Sequence, residues 1–410
     1  MLRRPAVILA LLTGLNLLNY LDRFVLSAVL PRIEGEFSLS HGVAGFLGTL
    51  FLLGYFLTSP IFGALADRGK RTGLIALGVV IWSLATLASG LATGIVTLAI
   101  ARAVVGIGEA SYATIAPTLI DDLAPAGKKG TWLAVFYAAS PIGSALGYVT
   151  GGLVEKSFGW RAAFYFAGGP GLVLALVCLW LVDPPRREVA KKGRLLGTLR
   201  PLLGIPLYLK SVLGYAAYTF AIGGFAYWGP TYLFQRFEHV GLTLARANIG
   251  MGAVTVLGGA VGTAVGGIWA DRRTRGHAGS DPGRTRTRVT ELLRVCAVGS
   301  AVGAPLAAVA ILAPTPVFFF GAFFVAEVFL FLSTSPINAA ILEAVPASIR
   351  ASAMAASIFG IHMLGDLWSP PGVGALADVV TMPIAMLSLP VAIALSAFVW
   401  WPSRAAAEPR

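Results

Sequence analysis

Apolar runs of about twenty residues recur along the whole chain, as in 72-TGLIALGVVIWSLATLASGL-91 and 161-RAAFYFAGGPGLVLALVCLWLV-182. A helix needs about that length to cross the hydrocarbon core of a bilayer, and lipid offers backbone polar groups no partner outside the segment itself. Only 12% of the residues are charged against 57% hydrophobic, where soluble domains carry about 25% charged residues. The chain therefore reads as an all-α membrane protein without a sizeable soluble domain.

Windows of about nineteen residues place twelve helices near 6–30, 42–66, 73–92, 94–123, 131–154, 161–182, 209–235, 245–270, 291–313, 316–342, 350–376 and 383–401. Basic residues alternate between the connections. One side holds Arg3, Arg4, Arg68, Lys70, Arg71, Lys128, Lys129, clusters at 186–200 and 272–288, and Arg404, and the other holds mainly Arg32, Lys156, Arg161, Arg236 and Arg246. The more basic side is expected in the cytoplasm, together with both termini. The N-terminal apolar run lacks a small-residue cleavage site and is read as a retained span. The net charge of +12 lies in these connections, so it reports topology rather than a nucleic-acid partner.

The Pro-rich basic stretch 183-DPPRREVAKKGRLLGTLRPLLGIP-206 divides the chain. The expected organisation is an N-terminal six-helix bundle over 1–182, a cytoplasmic linker over 183–208 and a C-terminal six-helix bundle over 209–410. The halves echo one another: 63-GALADR-68 follows the second span and 267-GIWADR-272 follows the eighth. Repeated halves with a substrate site near the midplane are a common transporter plan.

Charges stranded inside the apolar runs carry the functional signal. A charge at the centre of a membrane helix costs on the order of 3 kcal/mol on insertion scales, so such residues usually line a pathway. Asp22 and Arg23 lie in the first span, Arg102 and Glu109 in the fourth, and Glu327 in the tenth. Arg102 and Glu109 are seven residues apart, about two turns, and project from nearly one face about 10 Å apart. Gly106 and Gly108 between them admit a close neighbour, and if the first helix packs there Asp22 and Arg23 reach the same region. A carboxylate beside an arginine stays ionised, whereas one left in an apolar wall favours its protonated form. Asp22 and Glu109 are thus candidate proton carriers, with Arg102 exchanging partners between them or toward an anionic substrate. The competing reading is a static ion-pair cluster that only orients helices.

Arg23 points about 100° away from Asp22 and suits a substrate phosphate. Glu327 suits a cationic amine or a second proton. Tyr148, with Phe136, Tyr137, Tyr215, Tyr218, Phe225, Tyr227 and Trp228, are candidates for an amphipathic cavity wall, or else ordinary packing. The segment 223-GGFAYWGP-230 is a candidate bend. His362 and Asp366, one turn apart, suit a hydrogen-bonded pair. Cys178 and Cys296 have neither disulfide nor metal spacing, and the sequence shows no Gly-rich phosphate loop, nucleophile elbow or metal cluster, so no cofactor is expected.

The segments 63-GALADRGKR-71 and 267-GIWADRRTR-275 resemble the two copies of the loop motif of the major facilitator superfamily. Within it, 19-NYLDRF-24, 102-RAVVGIGEASYATIAPTLIDDL-123 and 365-GDLWSPPGVGALAD-378 are similar to the Spinster branch. The resemblance implies two pseudo-symmetric six-helix bundles and transport by alternating access in a bacterial inner membrane, by a monomer, with protons and membrane lipids as partners. It implies a lysophospholipid or sphingolipid-like substrate and supports the roles of Asp22, Arg102, Glu109 and Glu327. It assigns Asp67, Arg68 and Arg71, with Asp121 and Asp122, to a cytoplasmic latch, repeated at Asp271 and Arg272. Two alternatives stay open at this point: an exporter of drugs or small organic anions, and an intramembrane lipid-modifying enzyme using Glu109 and His362.

Overall fold

A computed structural model describes residues 4–125, 128–183, 201–277 and 282–402. The basic linker expected between the halves falls largely on 184–200, outside the described residues. The first six helices are α1 Pro5–Phe37, α2 His41–Arg68, α3 Arg71–Gly90, α4 Ile95–Leu123, α5 Lys129–Phe158 and α6 Trp160–Cys178. They are followed by α7 Pro206–Phe237, α8 Leu244–Thr274, α9 Pro282–Ile311, α10 Pro316–Phe331, α11 Thr334–Glu343, α12 Arg350–Leu364, α13 Ser369–Val379, α14 Met382–Met386 and α15 Ser388–Trp400.

Among the described residues, ten helical segments are long and apolar enough to cross a membrane, counting α10 with α11 and α14 with α15. With α7 and the broken α12–α13 segment they make the twelve spans of the expected plan. The last three spans are interrupted, and each interruption lies close to a proline. Proline removes a backbone donor and its ring crowds the carbonyl four residues earlier. The turns at Leu332–Ser333, at Gly365–Trp368 and at Leu387 lie just at or beside the residues four before Pro336, Pro370 and Pro371, and Pro390.

One boundary differs instructively from the sequence expectation. The basic cluster at 272–288 is largely helical, divided between the end of α8, a 3₁₀ turn at Arg275–His277 and the start of α9. Charged residues can extend a membrane helix into the aqueous layer, where hydropathy no longer marks its end. The candidate bend at 223–230 lies inside α7, which is helical on both sides of Pro230.

The described residues form two compact units. The first joins the described chain up to 183 with Tyr227–Ala253, the second half of α7 and the start of α8. Two bonds tie that hairpin in: Tyr227 Oη donates to the Ala44 carbonyl at 2.5 Å and Asn248 Nδ2 to the Ala28 carbonyl at 2.9 Å. Its core includes Ile8, Leu12 and Leu15 of α1 with Val79 and Trp82 of α3, Tyr112 and Ile115 of α4 and Phe136 of α5. The second unit holds the rest, including 254–402. There α8 crosses α10 so closely that a Cβ at Gly262 would overlap the Val328 carbonyl.

Candidate functional site

Helix packing in the first unit determines which charges meet. Helix α1 lies along α5, where a Cβ at Gly147 would overlap the Leu21 carbonyl. The glycines around Tyr148 thus serve a helix contact. Gly106 and Gly108 of α4 do the same, but the helices they admit are α2 and α3 rather than α1. A side chain at Gly106 would meet the Phe51 carbonyl, and one at Gly108 the Trp82 amide. Small residues let membrane helices approach to backbone contact, and here they bring α2, α3 and α4 together around the turn of α1 that carries Asp22 and Arg23.

The result is two crossed ion pairs. Asp22, 1% exposed, lies 3.5 Å from Nη1 of Arg102, also 1% exposed. Thr86 of α3 donates its hydroxyl to the other Asp22 oxygen. Arg23 Nε donates to Glu109 Oε2 at 2.7 Å; the glutamate side chain is 0% exposed and the arginine 23%. The Arg23 guanidinium sits 4.9, 5.0 and 5.4 Å from the ring centroids of Tyr20, Phe51 and Tyr55. Aromatic faces attract cations, most strongly out of water. Arg102 shares the Phe51 ring at 5.6 Å.

Several polar atoms of this cluster are buried without a hydrogen bond among the described residues: Asp22 Oδ1, Glu109 Oε1, and Nε and Nη1 of Arg102. Buried polar groups are normally satisfied, and these four atoms lie on three of the four charged side chains, Asp22, Glu109 and Arg102. The sequence placed all four charges in one region; the structure pairs Arg102 with Asp22 and gives Glu109 to Arg23, which is therefore engaged in this state. Thr86 and the Tyr20–Phe51–Tyr55 box escaped the sequence reading. A threonine or an aromatic in an apolar run is too common to signal a role until its neighbours are known.

The other expected residues fall in three places. Tyr148 is buried against Phe24, edge to face at 5.0 Å, and Phe136 is core, whereas Tyr137 is exposed. In the second unit Glu327 is 4% exposed on α10, with Oε2 unbonded among the described residues, near the α8 backbone at Gly258. Tyr218 donates to the Leu330 carbonyl at 3.1 Å, and Phe225 meets Phe323 at 5.0 Å. His362 Nδ1 and Asp366 are hydrogen-bonded at 2.8 Å.

The loop motif resolves into an ion-pair knot. Arg71, the first residue of α3, is buried; Nη1 reaches Asp122 of α4 at 2.5 Å and Nη2 reaches Asp183 at 3.0 Å. Its backbone N–H also donates to Asp183 at 2.7 Å. Asp183 was not singled out in the sequence because it opens the basic linker, where it looks like an ordinary loop residue. Asp121 pairs with Lys129 at 2.7 Å near the surface. Asp67 and Arg68, and Asp271 and Arg272 in the second copy, are exposed at the ends of α2 and α8.

Comparison with known proteins agrees with this architecture. The model of the Major Facilitator Superfamily matches residues 12–370. "Probable sphingolipid transporter spinster homolog 2" of Arabidopsis thaliana is 32% identical over 92% of this chain and 82% of its own length. "Protein spinster homolog 1" of Bos taurus is 35% identical over 91% of this chain and 73% of its own. Among solved structures, a bacterial homolog to the human lysosomal transporter Spinster, inward-facing and unoccupied, superposes with a TM-score of 0.84. It is 21% identical, and the match covers 98% of this chain and 97% of that one. A D-xylose–proton symporter has the same fold with a TM-score of 0.77 at 18% identity, over 97% and 98% of the two chains. With its helical spans, repeated loop motif and buried charges, this chain is a transporter of the Major Facilitator Superfamily and belongs to the spinster family.

Proposed function

We propose that the chain is a proton-coupled secondary transporter that moves a lysophospholipid or sphingolipid-like amphipathic anion across the membrane by alternating access. The observation that carries this reading is the pair of crossed ion pairs, Asp22 with Arg102 and Arg23 with Glu109, buried in one unit. Two carboxylates balance two guanidiniums. An anionic headgroup that takes one arginine strands a carboxylate, and a buried carboxylate needs either a cation or a proton. Headgroup binding and protonation are then linked, each favouring the other to the same degree.

Arg23 is the more exposed of the two cations and the natural first contact for a phosphate, which a guanidinium fork fits well. Capture of Arg23 frees Glu109 to be protonated. Arg102, seven residues away on the same helix, can then swing from Asp22 toward Glu109 as the bundles over 1–182 and 209–410 rock. Glu327 receives the cationic part of a zwitterionic headgroup or a second proton, and Tyr148 and the surrounding aromatics accommodate the chain. The names of the plant and animal relatives support a lipid-like substrate.

Asp67, Arg68, Arg71, Asp121 and Asp122, with Asp271 and Arg272, act as the latch of the cytoplasmic face. The chain works as a monomer in a bacterial inner membrane with both termini cytoplasmic.

The test is uptake into vesicles holding the purified protein, with lysophospholipid or a small organic anion offered at several external pH values. Asp22→Asn and Glu109→Gln are each expected to flatten the pH dependence of lysophospholipid uptake. Proton dependence unchanged in both variants would sink the coupling. Uptake of the small anion alone would replace the substrate class with that of an exporter of polar solutes.

A further inference from the structure

We infer that the second unit carries a separate binding site for the phosphate headgroup of an anionic phospholipid, in a cavity where α7, α9 and α12 begin. The cavity has a volume of about 1110 Å³. Small-molecule sites usually occupy about 300–1,000 Å³, so a headgroup and the first part of its chains fit. Four cationic side chains line it, Lys210, Arg286, Arg288 and Arg350, against one carboxylate, Glu343. That carboxylate pairs with Arg288 at 2.9 Å, and the four cations against one carboxylate give the lining a net positive charge.

The walls are built rather than incidental. Lys210 Nζ donates to the Trp401 carbonyl at 2.7 Å, which fixes the start of α7 to the end of α15. Trp400 is buried, its Nε1 bonded to the Ser211 carbonyl at 3.2 Å, and it lines the cavity with Leu207 and Leu293. Pro206 and Arg350, the first residues of α7 and α12, are also lining residues. The starts of both helices therefore place the positive end of a helix dipole beside the cations.

Cations over an apolar wall suit an amphiphile better than a free inorganic ion. Basic pockets between helices on the cytoplasmic side of membrane proteins commonly take anionic headgroups. No residue of the crossed ion pairs lines this cavity, so the site is distinct from the one proposed to move substrate. It rests on the transport reading only for the leaflet it faces.

The experiment is native mass spectrometry of the whole protein in neutral detergent, with phosphatidylglycerol, phosphatidylcholine of the same chains, or inorganic phosphate added. The wild-type protein is expected to retain phosphatidylglycerol over phosphatidylcholine. Each cation near an anionic headgroup contributes about fivefold, so Arg286→Gln with Arg350→Gln lowers phosphatidylglycerol retention about thirtyfold. Phosphatidylcholine retention stays unchanged, which reports an intact fold, and Arg286→Lys with Arg350→Lys restores most of the preference. The control removes two exposed cations of the first unit, Lys156→Gln with Arg246→Gln. An equal loss in the control would reduce the effect to general charge attraction and overturn the site, as would undiminished retention in the Arg286/Arg350 variant. Displacement of the lipid by inorganic phosphate at similar concentration would reassign the cavity to a soluble phosphate.

Discussion

Arg23→Ala removes the cation that Glu109 holds at 2.7 Å and leaves a carboxylate that is 0% exposed. Deleting one member of a buried pair costs about 3–5 kcal/mol, because the other charge stays desolvated. Arg23 is 23% exposed, which screens part of the interaction and sets the expectation at the low end, about 3 kcal/mol. Glu109→Gln keeps a carbonyl that can still accept from Arg23 and should cost only about 1–1.5 kcal/mol. In the double variant neither charge is left stranded, so the cost should fall well short of the sum, with a coupling energy of about 2 kcal/mol. Denaturant unfolding in detergent micelles, followed through the fluorescence of the nine tryptophans, measures all three. Single and double costs that add within about 0.5 kcal/mol would show that the two side chains do not sense one another, and the switch built on them would fail.

Three further outcomes follow from the same packing. Thr86→Val keeps the volume but removes the hydroxyl bonded to buried Asp22; a loss of about 1–3 kcal/mol is expected, with an altered pH profile of uptake, and an unchanged profile would detach Thr86 from the coupling. Gly106→Ala drives a methyl into the Phe51 carbonyl and should cost about 1–3 kcal/mol or prevent folding, read as loss of the monodisperse peak on size exclusion; full recovery would refute the close α2–α4 contact. Arg71→Ala removes the buried cation shared by Asp122 and Asp183 and should cost about 3–5 kcal/mol, whereas Lys129→Ala, which breaks a pair open to solvent, should cost under about 1 kcal/mol; equal thermal shifts would contradict the burial difference between the two pairs.

The spans, the repeated loop motif and the membrane-buried charges were all legible in the sequence because each follows from local chemistry. Twenty apolar residues have one stable arrangement in lipid, and an acid or arginine among them is conspicuous. Pairing was not legible. The 100° between Asp22 and Arg23 on the helix gives the two side chains different directions but not their partners, and in the structure it aims Arg23 at Glu109 across the α1–α4 contact. Gly106 and Gly108 signalled a close approach but not by which helix, since a missing side chain is an invitation without an address. The same holds for Asp183, which became part of the Arg71 knot only when the end of α6 came beside the start of α3.

The sequence by itself determined that this chain lives in a membrane, that it is built as two related halves, and that a few charges were retained inside it at a cost in stability. Those conclusions depend on transfer free energies and helix length, which are properties of each segment alone. Only the tertiary structure decided that Asp22 meets Arg102 and Thr86, and that Arg23 meets Glu109 inside an aromatic box. Ion pairing inside a protein is decided over a few ångströms, and which helices come that close depends on where glycines let their backbones touch.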